Sequence, residues 1–162
     1  MNENELQALY AQVLRLADDI PRNQRLEQPD ASVRMVSPLC GSQVTVDLVV
    51  RDGLIQDYGQ KVRACTLGAA AAAIVGKHIV GRPTTELREL RDRMRAMLKD
   101  EGPPPQGVWA ELEILTPARD LVSRHGSIML AFDAVVAALD EIEGRDREPT
   151  DKASGIPETV RA

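Results

Sequence analysis

The first half of the chain changes from helical to strand periodicity. Apolar residues recur every three or four positions between residues 5 and 18, which predicts an amphipathic helix that ends before Pro21. Residues 23–30 are polar and predict a loop. A period of two then begins weakly at Val33 and is strong over residues 44–50, which predicts two strands.

A β-hairpin is predicted at Asp52-Gly53, because these residue types suit the left-handed conformation of a tight turn. The return strand is predicted over residues 54–62. One face of that strand carries Leu54, Tyr58 and Val62. The hairpin is the strongest strand signal in the chain.

The hairpin also predicts that two cysteines lie close together. A two-residue loop would place Cys40 directly opposite Cys65. The apolar faces match better with an offset of one residue, which pairs Val44 with Val62 and requires a bulge or a three-residue loop. With either register, both cysteines lie at the same end of the hairpin.

The second half of the chain is predicted to be helical. A helix capped by Thr66 runs to about residue 79, a second spans about 84–98, a short one covers 109–115, and the last begins at Ser127. The predicted fold class is therefore α+β, a small antiparallel β-meander of three strands packed with helices. We expect one domain over residues 1–143 and a disordered tail over residues 144–162, where apolar periodicity is lacking.

Composition excludes several functions. Net charge is −5, with 20 basic and 25 acidic residues intermingled and only 2% aromatic residues, so a nucleic-acid interface is not expected. The longest apolar run is shorter than the 18 residues that suggest a membrane span. The polar, acidic start of the chain is unlike a signal peptide, and we expect a cytoplasmic protein.

Cys40 and Cys65 are the leading candidates for chemistry. In a reducing cytosol two cysteines are more often ligands or reactive thiols than a disulfide, although two buried free thiols would be the simpler interpretation. Cys65 precedes a predicted helix, whose positive dipole end favours a thiolate. His125 precedes the last helix and could be a ligand from a loop, whereas His78 lies among apolar helix residues and is interpreted as structural.

Several motifs together resemble the iron–sulfur cluster assembly scaffold family of the NifU-like, IscU/SufU type. The resemblance covers about residues 8–142. Its motifs are Pro21-Arg22-Asn23, Pro38-Leu39-Cys40-Gly41, Asp52-Gly53-Leu54-Ile55, the seven residues from Ala64 to Ala70, and the seven from His125 to Ala131. The long interval between Cys65 and Gly126 resembles the SufU branch more than the IscU branch.

The resemblance implies a ligand set that is incomplete in this chain. In that family three cysteines, with an aspartate or a histidine, bind zinc or hold a nascent [2Fe–2S] cluster. Cys40, Cys65 and His125 match members of this set. Gly126 stands in place of the third cysteine, and Ser42 in place of the aspartate. Zinc takes four ligands, so these residues supply three at most.

The leading hypothesis is a scaffold that binds iron, a [2Fe–2S] cluster or zinc through Cys40, Cys65 and His125, without an enzymatic turnover of its own. The resemblance implies a cysteine desulfurase and recipient apo-proteins as partners, and we expect a monomer or a weak dimer. A zinc-dependent sulfur-relay transferase that accepts a persulfide from a cysteine desulfurase is the alternative from the enzyme class. A metal-free interaction module that has lost the site is the third hypothesis.

Overall fold

Three consecutive strands form the predicted antiparallel meander. The structure of the protein, a computed structural model, describes residues 2–144 and 156–159. The strands of the meander are β1 (Ala31–Val36), β2 (Gln43–Arg51) and β3 (Leu54–Arg63). β2 lies in the centre of the meander and pairs antiparallel with both β1 and β3.

The hairpin between β2 and β3 contains both of the registers considered above. Asp52 and Gly53 have φ angles of 56° and 75°, as a two-residue turn requires. Arg51 pairs with Leu54 beside the turn, but a shift after Val50 brings Val44 opposite Val62. A β-bulge is therefore present, and the pairing of the apolar faces is as predicted.

The bulge corrects one detail of the predicted β3. Leu54 was expected on the apolar face with Tyr58, yet Leu54 is 44% exposed and Ile55 is fully buried instead. The extra residue of the bulge changes the alternation between these two positions, because strand side chains alternate with a period of two.

Four α-helices and a stretch of 3-10 helix complete the domain. The helices are α1 (Glu3–Asp18), α2 (Thr66–His78), α3 (Thr84–Lys99) and α4 (His125–Glu143), and the 3-10 turns span Gly107–Asp120 and Val122–Arg124. α4 packs across β1 and β2, with α2 and α3 beside it, and α1 covers α2. The α+β class and its segregated helices are as predicted.

Helix α4 is the central element of the core. Its buried side chains include Ile128, Leu130, Phe132, Val135 and Leu139, each no more than 2% exposed. The segment Val122–Glu143 is long and apolar enough to span a membrane by length and composition alone, but 72% of its apolar window is buried inside the protein. That burial is what a core helix of a globular domain requires.

Two helix starts and the C-terminal segment differ from the predictions. Cys65, rather than Thr66, occupies the N-cap of α2. α4 begins at His125, two residues before Ser127. Within the predicted disordered tail, 144–162, a fourth strand, β4 (Ile156–Thr159), pairs antiparallel with β1. The remaining tail residues, 145–155 and 160–162, lie outside the described residues.

Candidate functional site

Cys40 is presented by a tight loop between β1 and β2. The N–H of Gly41 donates to the carbonyl of Ser37 over 2.9 Å, and the N–H of Ser37 donates to the carbonyl of Ser42 over 2.8 Å. Gly41 has a φ of +72°, a left-handed conformation that glycine adopts without strain. The loop therefore holds Cys40 at the surface, where its thiol is exposed.

Cys65 lies at the junction of β3 and α2. Its backbone is extended at the N-cap position, and its side chain makes no capping hydrogen bond to the helix. Its N–H instead donates to the Ser42 hydroxyl over 3.2 Å. The thiol is partly exposed. Cys65 thus starts the helix while leaving its sulfur available to the site.

Two buried serines link the two thiols. The Cys40 Sγ lies 3.1 Å from the Ser42 Oγ, and the Cys65 Sγ lies 3.2 Å from the Ser127 Oγ. The two hydroxyl oxygens are 3.0 Å apart, with Ser127 donating to Ser42. We call these four side chains the serine–cysteine cluster. The cluster confirms that Cys40 and Cys65 meet at one end of the hairpin, and neither forms a disulfide.

The Ser42 hydroxyl is the main reason that Cys40 ionises easily. Its hydrogen bond is the largest of the effects that lower the pKa of Cys40 to about 7. Partial burial opposes this shift, and further hydrogen bonds from the Ser42 backbone, Ser37 and Ser127 add to it. A hydrogen bond to the charged form of a group stabilises that form. Because Ser42 accepts from the Cys65 N–H and from Ser127, its own proton is available to the Cys40 thiolate.

Two glycines allow the surrounding elements to approach the cluster. A Cβ atom on Gly68 of α2 would lie 2.4 Å from the Ser127 Oγ, so only glycine lets α2 and α4 meet here. A Cβ atom on Gly126 would lie 3.1 Å from the Ser37 Oγ, beside the Cys40 loop. The position of the family's third cysteine is therefore adjacent to the site, but it carries no side chain in this chain.

His125 is placed differently from the expectation. It was predicted to project from a loop, but it is the first residue of α4 and is 4% exposed. Its Nε2 lies 3.0 Å from each of the carbonyl oxygens of Ala118 and Arg119. Because carbonyl oxygens only accept, we assign a proton to Nε2. A ligand role would therefore use Nδ1.

The structure does not bring the three predicted ligands into one group. Among the described residues, no three His, Cys, Asp or Glu side chains are arranged to hold a metal ion. Cys40 and Cys65 are brought together, and ligation by His125 remains a prediction. His78 lies elsewhere, with its ring edge-on to Trp109 at 5.9 Å, which agrees with a structural role.

Sequence reasoning overlooked Ser127 as a site residue. The chain places it two positions after His125, next to the glycine that replaces the expected cysteine. Ser42 was noted only as the replacement for an aspartate. A useful signal was available, because one serine occupies an altered ligand position and another serine directly follows the other altered position. Their shared contact, however, depends on the close packing of α4 against the loop.

The fold and the site define a class of protein, namely a small α+β domain that presents two hydrogen-bonded thiols at one end of a β-hairpin. No protein-family model matches the chain. A crystal structure of a NifU-like protein (N-terminal) from Brucella abortus is 39% identical, with a TM-score of 0.84 over 86% of this chain and 98% of that one. The iron–sulfur cluster assembly scaffold protein IscU of Thermotoga maritima is 23% identical over 103 residues, which cover 64% of this chain and 72% of that protein.

The chain belongs to the family of NifU-like, IscU-type scaffold proteins. A further crystal structure, of an iron–sulfur cluster assembly scaffold protein for the SUF system from Fervidobacterium islandicum, has a TM-score of 0.75. It covers 82% of this chain and 98% of that one at 15% identity, and so it supports the shared fold alone. The closer relation to the SufU branch that spacing suggested stays a prediction.

Removing the Ser42 hydroxyl should make Cys40 harder to ionise. We expect Ser42→Ala to raise the pKa of Cys40 from about 7 towards the ordinary thiol value, since the largest stabilising hydrogen bond is lost. The measurement is the rate of iodoacetamide alkylation of Cys40 against pH, followed by peptide-resolved mass spectrometry. Ser127→Ala is the matched control and should produce a smaller shift. Equal shifts in the two variants would contradict the leading role of Ser42.

Proposed function

We propose that this protein is an iron–sulfur cluster assembly scaffold that carries iron or a [2Fe–2S] cluster as cargo on the thiolates of Cys40 and Cys65. The main support for the proposal is the serine–cysteine cluster, in which two thiols contact two buried hydroxyls whose oxygens lie 3.0 Å apart. Zinc, a thiophilic ion of suitable size, is a second cargo that the same thiolates could bind.

The pattern of hydrogen bonds is suited to a thiolate on Cys40. When that sulfur is ionised, the Ser42 hydroxyl can donate to it, whereas the single proton of the Ser127 hydroxyl goes either to Ser42 or to Cys65. Hydrogen bonds to the sulfurs are among the factors that set the properties of an iron–sulfur site. The serines thus act around the ligands, since a hydroxyl is itself a poor ligand for these metals.

Incomplete coordination is central to the proposed function. A [2Fe–2S] cluster and a zinc ion each require four protein or solvent ligands, and the described residues bring two thiols together. Cargo held by two thiolates keeps positions open for ligands from a delivering or receiving protein. Support for such partners, a cysteine desulfurase and apo-protein recipients, comes from family membership, whereas a cytoplasmic setting stays a prediction from the polar start of the chain.

Metal content tests the proposal directly. Protein purified without oxygen or chelators should bind ferrous iron or zinc, and Cys40→Ala or Cys65→Ala should each lose most of it, because a single thiolate is a weak site. Metal per chain is measured by inductively coupled plasma mass spectrometry. His125→Gln tests the predicted third ligand, because glutamine lacks Nδ1 but can still donate to the carbonyls of Ala118 and Arg119. Retained metal would show that the two thiolates are sufficient.

Two results would change this assignment. Metal loss in a folded His125→Gln variant would make the histidine a third ligand. Binding below about one-tenth equivalent in the wild-type protein, unchanged by Cys40→Ala, would contradict the scaffold proposal and favour the metal-free module. Circular dichroism of each variant checks that the fold is retained.

Restoring a third cysteine should strengthen the site. In Gly126→Cys the new Cβ would lie 3.1 Å from the Ser37 Oγ, so the Ser37 side chain must move by a few tenths of an ångström. We expect affinity for zinc to rise by at least the roughly tenfold that an outer-shell partner contributes to metal sites. Competition with a chelating dye measures it. Gly126→Ser is the control of similar size, and an equal gain there would contradict thiolate ligation.

A second function is favoured by the exposure of Cys40. An exposed thiol with a pKa of about 7 is a competent sulfur acceptor. In the relay, the Cys40 thiolate attacks the outer sulfur of a persulfide on a desulfurase cysteine. One sulfur–sulfur bond forms on Cys40 as the original one breaks, and the desulfurase cysteine departs as a thiolate.

The relay predicts a persulfide on Cys40. After incubation with a cysteine desulfurase and cysteine, Cys40 should gain the mass of one sulfur atom, and it should do so more readily than the less exposed Cys65. Cys40→Ser is the matched control. If neither cysteine gains sulfur in intact-protein and peptide mass spectra, the relay is wrong, whatever the metal content shows.

A further inference from the structure

Helix α1 carries more apolar surface than the domain covers. Val13 is 2% exposed and packs inwards, on the side of the helix that contacts α2. Leu6, Tyr10 and Leu14 lie four residues apart and are 50%, 54% and 45% exposed. Residues at this spacing form one stripe along a helix. α1 therefore has a second apolar stripe that the described part of the chain leaves facing outwards.

The stripe leads into a groove beside α1. The groove has a volume of about 950 Å³ and lies between α1 and the 3-10 segment Gly107–Asp120. Leu6 and Leu9 form one wall, and the apolar residues of the opposite wall are Pro104, Ala110, Ile114 and Pro117. Together the stripe and the groove form a continuous apolar surface, which we call the α1 groove.

The far wall of the α1 groove is held in place by Arg119. Its guanidinium donates from Nε to the carbonyl of Met97 and from Nη2 to the carbonyl of Gly102, each over 2.6 Å. Charge-assisted bonds of this length are strong. They fix the loop after α3 against the 3-10 segment, so the groove is formed in the protein without a ligand.

The polar rim of the α1 groove is acidic. Glu101, Glu113 and Asp120 line it and are exposed, and the described residues include no ion pair with any of these three carboxylates. Arg119 is the cation on this wall, and its hydrogen bonds are used by backbone carbonyls. Three carboxylates against one guanidinium leave the rim negative.

We propose that the α1 groove binds a basic amphipathic helix of a partner protein. The apolar stripe matches the leucine face of such a helix, and the unpaired rim carboxylates match its lysines or arginines. A second copy of this chain is a poor occupant, because two acidic rims would meet in a protein of net charge −5. An anionic membrane is repelled for the same reason. None of the residues that line this surface belongs to the serine–cysteine cluster.

Binding of a defined peptide tests the proposal. The probe is a fluorescein-labelled 14-residue helix with leucines at every third or fourth position and lysines elsewhere, titrated with the full chain by fluorescence anisotropy. We expect saturable binding that weakens by about threefold or more in Leu14→Gln, since the part of this leucine that is exposed in the free protein would be buried against the peptide. Glu113→Gln with Asp120→Asn should weaken binding and reduce its dependence on salt.

Matched controls separate a specific groove from general charge attraction. Glu27→Gln with Glu89→Gln removes two exposed carboxylates elsewhere and should leave the affinity unchanged. A scrambled peptide of the same composition lacks the leucine stripe and should bind weakly. Equal effects of the two carboxylate pairs, or equal binding of the scrambled peptide, would overturn the proposal.

Two further measurements test whether a second copy of this chain or a membrane binds the α1 groove instead. Concentration-dependent dimerisation that Leu14→Gln abolishes, seen by sedimentation velocity, would assign the surface to a second copy and overturn the proposal. Binding to phosphatidylserine vesicles that Leu14→Gln abolishes would overturn it in favour of a membrane. Metal content should be unchanged in all groove variants, so failure of this proposal is distinguishable from failure of the scaffold assignment.

Discussion

The pairing of β2 with β3 is the constraint on which the site depends. The two-residue turn sets the first pairs, the bulge advances the register by one residue, and Gln43 finally pairs with Arg63. Ser42 and Cys65 lie just beyond that last pair, close enough for the Cys65 N–H to donate to the Ser42 hydroxyl. A register shifted by several residues would move Cys65 away from Ser42 and Cys40.

Much of this arrangement follows from local sequence. The Asp52-Gly53 turn, the matching of Val44 with Val62 and the adjacency of the cysteines were all predictable, because strand pairing converts sequence distance into spatial distance. The burial of Leu54 was predicted wrongly, since the position of a bulge depends on packing of both strands. The apolar faces favoured the register that pairs Val44 with Val62, and the protein uses that register beyond the bulge and the two-residue-turn register beside the turn.

The contacts of His125 and Ser127 were beyond sequence reasoning. Both depend on how the start of α4 is packed against distant elements, the 3-10 segment in one case and the Cys40 loop in the other. Pattern analysis could place these residues near a helix start but could not orient their side chains. The outward stripe of α1 is similar, because periodicity identified its apolar residues without showing which of them the domain would cover.

The serine–cysteine cluster has the Ser42 hydroxyl at the position where the family resemblance implies a carboxylate. A carboxylate only accepts hydrogen bonds when ionised, whereas a hydroxyl can donate to one neighbour while accepting from another. Ser42 accepts from the Cys65 N–H and from Ser127, which leaves its own proton for the Cys40 thiolate. The charge of the site therefore comes from the thiols alone, and it changes with whatever they carry.

The strand β4 has a consequence for the integrity of the sheet. By pairing with β1, it occupies the outer hydrogen-bonding edge of the meander. Exposed strand edges are templates on which other chains can add strands and aggregate. A chain shortened to end with α4 would retain both thiols and the whole helical core, yet it would expose the edge next to the Cys40 loop. The C-terminal segment thus determines which strand forms this edge of the sheet.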